Sequence, residues 1–193
     1  PRSRLTADPF SYPQTPRLYG LMDETAMEAA GISRTQLQPA LGLRGSGVLI
    51  GFLDTGIDYR NPVFLDQAGR TRILRIWDQT DQTGQSPEGF FYGTEYTDRE
   101  IQESLSGTAD IPVPERDEHG HGTFLASLAA GRPVPEQDFS GAAPEAYLAV
   151  VKLKEAKQYL RDYYFIKENV TAYEETDLMT AVRYLVEVSG QLG

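Results

Sequence analysis

Residues 48–58 read Val-Leu-Ile-Gly-Phe-Leu-Asp-Thr-Gly-Ile-Asp, an apolar run that ends at Asp54. A run of this kind predicts a parallel strand in the centre of a sheet, buried on both faces. Ligands and chemistry in parallel sheets lie beyond the carboxyl ends of the strands, which makes Asp54 a candidate catalytic residue. Taken alone, Asp54 is equally well explained as a side chain that caps the turn after the strand.

A second stretch, residues 117–131, reads DEHGHGTFLASLAAG and predicts a helix of small residues that begins near His121. Gly120 and Gly122 on either side of this histidine allow other backbone to approach the imidazole closely. A carboxylate on its far ring nitrogen would fix the tautomer and stabilise the imidazolium, and Asp54 is the obvious candidate. His119 is interpreted as an exposed loop residue. A metal site of His119 and His121 with Asp117 or Glu118 remains an open but weaker alternative.

The other segments predict a mixture of strands and helices. Residues 70–77 and 90–96 predict a hairpin, Thr97 and Glu100 a capping box, and residues 146–153 a second buried strand. A last helix is predicted from Thr176, with an apolar face of Leu178, Ala181, Val182, Leu185 and Val186. Strands that alternate with helices are typical of an α/β fold with a parallel sheet.

Composition and charge exclude several classes of function. The 193 residues carry a formal net charge of −10 and no cysteine, which excludes a disulfide scaffold, a Cys-ligated zinc site and a cysteine nucleophile. The acidic balance without a Lys/Arg cluster argues against nucleic acid or an anionic membrane as the main partner. No apolar run is long enough for a membrane span, and no signal peptide is visible.

The two blocks around Asp54 and His121, followed by Ser-Gly-Ala-Ala-Pro at 140–144, together resemble the subtilisin-like serine proteases. Residues 75–83 (RIWDQTDQT) and 121–127 (HGTFLAS) look like the clostridial spore-germination branch of that family. The resemblance implies an α/β fold with a doubly wound parallel sheet and helices on both faces, incomplete at the C-terminus. It also implies a serine endopeptidase in which Asp54 orients His121 and His121 is the general base.

The same resemblance implies that the nucleophile is not in this chain. Gly-Thr is followed here by Glu95, Ala109 and Phe124, never by the serine of the family's third block. We therefore expect the amino-terminal part of a catalytic domain, inactive alone, whose partner is its missing C-terminal half or another copy of itself. Residues 1–40 are assigned to an N-terminal arm and short helix, and 41–193 to the domain, with a hairpin-and-helix insertion at about 70–110.

Two positions depart from the family pattern. Phe124 stands where many members have a histidine, and Val63 stands where some subtilisins place an Asp ligand for structural calcium. We therefore expect no cofactor and no calcium at Val63. Substrates would be proteins or peptides. Localisation is undetermined, and would be cytoplasmic or spore-associated if the germination-branch resemblance holds.

Two alternatives remain open at this point. One is a non-catalytic, subtilase-like binding module in spore germination. The other is a homodimeric aspartic protease, because Asp54-Thr55-Gly56 is also that class's motif. That fold is all-β, and the helices predicted at 121–130 and 176–188 argue against it.

Overall fold

The fold was described from a computed structural model of the chain, which covers residues 24–133 and 139–192. The residues predicted as an extended arm, 1–20, lie outside this range. The described residues form four strands: β1 (Leu49–Asp54), β2 (Ile73–Asp78), β3 (Thr94–Thr97) and β4 (Tyr147–Lys152). The helices are α1 (Glu24–Ala29), α2 (Ile32–Leu37), α3 (Asp98–Ser106), α4 (His121–Ala130), α5 (Gln158–Tyr163) and α6 (Glu175–Leu192), with a 3-10 turn at Pro62–Phe64.

The four strands form one sheet in the order β1-β4-β2-β3. Strand β4 pairs in parallel with β1, from Leu49 opposite Tyr147 to Asp54 opposite Lys152. It also pairs in parallel with β2, where Asp78 lies opposite the same Lys152. The carboxyl ends of three parallel strands therefore meet at one edge of the sheet.

The core lies on both faces of this sheet, which confirms the predicted doubly wound α/β architecture. Leu148 and Val150 of β4 pack in the cluster that contains α3 and α4 residues. Ala149 and Val151, which alternate with them, pack with Tyr184 of α6 in the second cluster. This alternation follows from the period of two along a strand. The fold is not the all-β one that the aspartic protease alternative requires.

Strand β1 differs from its prediction as a central strand buried on both faces. Among the described residues it pairs only with β4 and forms one edge of the sheet. Its residues are partly buried, and Gly51 is exposed. The apolar run therefore correctly predicts a parallel strand, but within residues 24–133 and 139–192 this strand has a neighbour on one side alone.

Residues 70–110, predicted as a hairpin-and-helix insertion, include two strands that are part of the sheet. β2 and β3 pair antiparallel, from Arg75 opposite Thr97 to Asp78 opposite Thr94. Because β2 also pairs with β4, this segment supplies two of the four strands of the described sheet. The predicted capping box is present, with the Thr97 side chain accepting from the Glu100 N–H and the Glu100 side chain accepting from the Thr97 N–H.

Helix α6 buries only part of the predicted face, namely Ala181 and, partly, Leu185. Asp177, Ala181, Tyr184 and Val188 are buried, whereas Leu178, Val182 and Val186 are 36%, 51% and 66% exposed. The prediction was wrong for these last three residues because the helix carries two neighbouring apolar stripes, which share Ala181. The large ring of Tyr184 decides between them, since it packs against Trp77 and Phe90.

Candidate active site

The candidate site lies at the carboxyl edge of the sheet, where β1 ends and α4 begins. Asp54 is the last residue of β1, and its side chain is 14% exposed. His121 is the first residue of α4, and its Nδ1 lies 2.8 Å from Oδ1 and 3.0 Å from Oδ2 of Asp54. The Thr55 N–H donates to Asp54 Oδ1 at 2.7 Å, which fixes the carboxylate. The structure thus brings together the two residues that the sequence singled out.

A glycine allows helix α4 to approach the end of β1. A Cβ built on Gly122 would lie 2.2 Å from the Gly56 carbonyl oxygen and 3.1 Å from the Asp54 Cβ. Real side chains do not approach backbone so closely, so any larger residue would move the start of the helix. Gly120 has a different role, because its φ of 75° is left-handed and turns the loop into the helix.

Asp117 organises the loop between the two candidate residues, a role that sequence analysis missed. Its Oδ1 accepts from the Thr55 hydroxyl at 2.7 Å and from the Gly120 N–H at 2.8 Å. Its Oδ2 accepts from the Thr123 N–H at 2.8 Å and from the Thr123 hydroxyl at 2.7 Å. Asp117 therefore caps α4 and joins it to the turn after β1.

These hydrogen bonds also set the charge of Asp117. Burial raises the pKa of its carboxyl, but the hydrogen bonds from Thr123, Thr55 and Gly120 outweigh burial and leave the pKa below its ordinary value. With both oxygens occupied, Asp117 is poorly placed to ligate the metal that the weaker alternative with His119 required. The hydroxyls of Thr55 and Thr123 both donate to it and are equally unavailable as nucleophiles.

The remaining sequence-predicted positions lie apart from this pair. His119 and Phe124 are exposed, the latter by 45%. Val63 is buried in the core cluster on the α4 face of the sheet. Within residues 24–133 and 139–192, no group of three His, Cys, Asp or Glu side chains lies close enough together to hold a metal ion. The absence of a cofactor stays a prediction.

The chemistry that Asp54 and His121 can perform depends on which ring nitrogen of His121 contacts the carboxylate. With Nδ1 against a carboxylate, the imidazole carries its proton there and presents Nε2 as a base. The His121 side chain is 61% exposed, so a group from outside the described residues can reach it. His121 can thus accept a proton at Nε2 from a hydroxyl group placed beside it. The pair itself has no nucleophile, so attack on a carbonyl carbon requires that hydroxyl.

Comparison with known proteins places the chain in a family. The model of the subtilase family, peptidase S8, matches residues 45–176, and the chain belongs to that family. Among curated proteins it is 26% identical over 154 residues to the subtilisin-like protease SBT2.3 of Arabidopsis thaliana. It is 31% identical over 124 residues to SBT2.1 of the same plant. These matches cover 72% and 56% of this chain but only 17% and 15% of the relatives.

A solved structure shows the same fold. The CspB protease of Clostridium perfringens matches with a TM-score of 0.68 and 29% identity, over 88% of this chain and 31% of that one. The predicted family and fold are confirmed, and family membership supports a serine-protease type of function. No helix among the described residues has the length and apolar character needed to cross a membrane.

Proposed function

We propose that this chain is part of a serine endopeptidase of the subtilase family that cleaves protein or peptide substrates. In this proposal His121 is the general base and Asp54 orients it. A serine from outside the chain is the nucleophile, and an acyl-enzyme forms on it before hydrolysis. The 193 residues alone are then inactive in peptide hydrolysis, because no residue of the chain supplies the third member of the triad.

One observation carries the proposal, the contact of His121 Nδ1 with both oxygens of Asp54. A histidine that merely caps a helix or faces solvent has no need of a bidentate carboxylate partner. Family membership adds the expected third residue. The resemblance of residues 75–83 and 121–127 to the clostridial spore-germination branch favours a role in spore germination.

The proposed partner is the polypeptide that completes the sheet beside β1. β1 is an apolar edge among the described residues, and such an edge binds another strand or aggregates. Leu178, Val182 and Val186 add exposed apolar surface on α6, which packs against the same strand. The remainder of the catalytic domain fits this surface, and a second copy of the chain is the other candidate.

The function is tested by labelling the intact protein that carries this chain with a fluorophosphonate probe. The wild-type protein should be labelled on a serine outside these 193 residues. His121→Ala should abolish labelling, and Asp54→Asn should lower peptide hydrolysis by about four orders of magnitude. His119→Ala is the matched control, because it removes a nearby exposed imidazole and should leave the rate unchanged.

Two outcomes would contradict the proposal. An intact, folded protein that takes no probe would be a binding module rather than a protease. If His119→Ala and His121→Ala lowered probe labelling and peptide hydrolysis equally, His121 would have no special role as general base. The proposed partner is tested by static light scattering of the 193-residue chain. A stable monomer that does not associate would show that the β1 edge does not require a partner strand.

A further inference from the structure

A second titratable cluster lies beside the candidate site and is not used by the proposed mechanism. It consists of Glu115, Asp78 at the end of β2 and Lys152 at the end of β4, and we call it the acid-lysine cluster. The Glu115 side chain is fully buried, and those of Asp78 and Lys152 are 5% and 18% exposed. Three charged side chains in one buried place require either exact charge compensation or a change of protonation state.

Glu115 is tied to the active-site turn through one of its oxygens. Its Oε1 accepts from the Ile57 N–H at 3.0 Å. A Cβ built on Gly56 would lie 2.2 Å from the same oxygen, so the carboxyl packs directly against the turn that follows Asp54. Two residues further along, Asp117 holds Thr55 of the same turn. The segment 115–117 thus fixes the turn at two points.

The other oxygen of Glu115 lacks a hydrogen-bond partner among the described residues. Lys152 Nζ lies 3.2 Å from Oε2, in ion-pair range but without the geometry of a hydrogen bond, and instead donates to the Arg116 carbonyl at 2.6 Å. A second carboxyl lies at the same ammonium, because Asp78 Oδ2 is 3.9 Å from Lys152 Nζ, and its presence raises the pKa of the Glu115 carboxyl. Two carboxylate oxygens both accept, so they can bond only if one of them carries a proton.

The bonds of Asp78 indicate which oxygen receives that proton. Asp78 Oδ1 already accepts from the Thr80 N–H at 2.7 Å, the Thr80 hydroxyl at 2.6 Å and the Asp81 N–H at 3.2 Å. Among the residues that the structure describes, its Oδ2 faces Lys152 Nζ alone, at 3.9 Å. Asp78 Oδ1 therefore has its donors already, and Oδ2 is the oxygen left to accept a hydrogen bond from Glu115.

We propose that Glu115 is a positioning residue that carries a proton on Oε2, donates it to Asp78 Oδ2, and so holds the Asp54 turn in place only while it is protonated. The cluster is then one carboxylic acid, one carboxylate and one ammonium, with no net charge. Loss of the proton to solvent leaves two buried carboxylates against one ammonium, and the Glu115 side chain is driven from its place. The hydrogen bond from the Ile57 N–H to Glu115 Oε1, three residues after Asp54, is then broken.

The surrounding charges agree with this protonation state. Burial, together with the hydrogen bond and charge of Asp78, raises the pKa of Glu115 to about 8, against the lowering effects of Lys152 and the Ile57 N–H. From the turn after β1, the Arg60 guanidinium donates to the Glu115 carbonyl oxygen at 3.2 Å. On its own segment, Asp117 is occupied by Thr55, Gly120 and Thr123. The link to catalysis rests on the proposed function, whereas the protonation state does not.

The test follows resonances that do not depend on peptide hydrolysis. The intact protein that carries this chain is labelled with 13C at the Glu carboxyls and 15N at the Ile amides, and titrated from pH 5 to pH 10. One Glu carboxyl and the Ile57 amide should shift together with a midpoint near pH 8. In Glu115→Gln both of these pH-dependent shifts should vanish. The amide keeps the hydrogen bonds to the Ile57 N–H and to Asp78, and it cannot ionise.

Three further variants make the result specific. Asp78→Asn should lower the midpoint and Lys152→Met should raise it. Glu118→Gln, an exposed residue on the same loop, should leave both steps unchanged. A Glu115 carboxyl that titrates in the ordinary acidic range would overturn the proton assignment. An Ile57 step that persists in Glu115→Gln would overturn the coupling to the turn, whether or not the protein hydrolyses peptides.

Discussion

At the scale of single residues, three acidic side chains around one turn have three different roles. Asp54 contacts the imidazole, Asp117 caps the helix that carries it, and Glu115 holds the backbone of the turn. Sequence reasoning found Asp54 and His121 because each stands at the end of a recognisable strand or helix. It missed the contacts of Asp117 with Thr55 and of Glu115 with Ile57, because the two residues of each pair are far apart in the sequence.

Substitution of Gly122 tests how tightly the helix must approach the strand. Gly122→Ala places a Cβ against the Gly56 carbonyl oxygen, a backbone atom that cannot move cheaply. We expect a loss of about 1–3 kcal/mol in the free energy of unfolding, measured by urea denaturation, and a weakened His121–Asp54 contact. That contact is read from the Nδ1 proton resonance of His121.

Gly190→Ala serves as the control for Gly122→Ala. Gly190 lies in helix α6 with no atom within 4 Å of an added Cβ. Alanine there should leave the Nδ1 resonance unchanged and stabilise the fold by up to about 1 kcal/mol, because glycine is the poorer helix former. A Gly122→Ala protein as stable as the wild type would show that the start of α4 can shift without cost.

At the scale of elements, local signals predicted the helices that carry their own start and stop residues. α3 has its capping box and is closed by the C-cap residue Gly107, with φ of 70°. α4 is closed by Gly131, as the sequence predicted. The six-residue helices α2 and α5 were not predicted. Neither has a side-chain cap, and helices this short depend on tertiary packing, which no local pattern reports.

The capping box of α3 makes a quantitative prediction. Thr97→Ala removes the hydroxyl that accepts from the Glu100 N–H, and we expect a loss of about 1 kcal/mol in the free energy of unfolding. Thr97→Ser, which keeps the hydroxyl, should lose much less. Urea denaturation measures the free energy of unfolding of both variants. Equal values for Thr97→Ala and Thr97→Ser would mean that the capping box contributes no measurable stability.

At the scale of the whole molecule, the sequence predicted the class of fold but not the place of each strand. Apolar runs predicted parallel strands at β1 and β4, and both are parallel. The position of β1 at an edge and of β4 in the centre of the described part of the sheet could not be predicted from either run, because strand order is set by long-range pairing. The face of α6 that is buried was likewise decided by the aromatic cluster around Trp77.

The buried acid of Glu115 sets the pH dependence of stability. Its pKa is about 8 in the folded chain against an ordinary value of 4.5, so between these values the folded state binds a proton that the unfolded state has lost. Stability therefore falls as pH rises through this window, by up to about 1.4 kcal/mol per pH unit from this group. Above about pH 8 its contribution levels off.

Urea denaturation between pH 5 and pH 9 checks this dependence. Glu115→Gln should flatten the decline, because the amide does not titrate, while Glu118→Gln should leave it unchanged. The lowered pKa of Asp117 acts in the opposite sense and at more acidic pH, so it does not contribute to the decline in this range. A wild-type protein of constant stability from pH 5 to pH 8 would contradict the buried proton.

The strand order has a consequence for the timing of folding. β4 is the last of the four described strands along the chain, yet it lies between β1 and β2, which do not pair with each other. Until Lys152 has left the ribosome, β1 has no partner among these strands and only the local β2–β3 pair can form. Long-range parallel pairing of this kind is slow. The nascent chain thus leaves β1 without a partner among these strands until residue 152 has been added, a period in which a chaperone would find it.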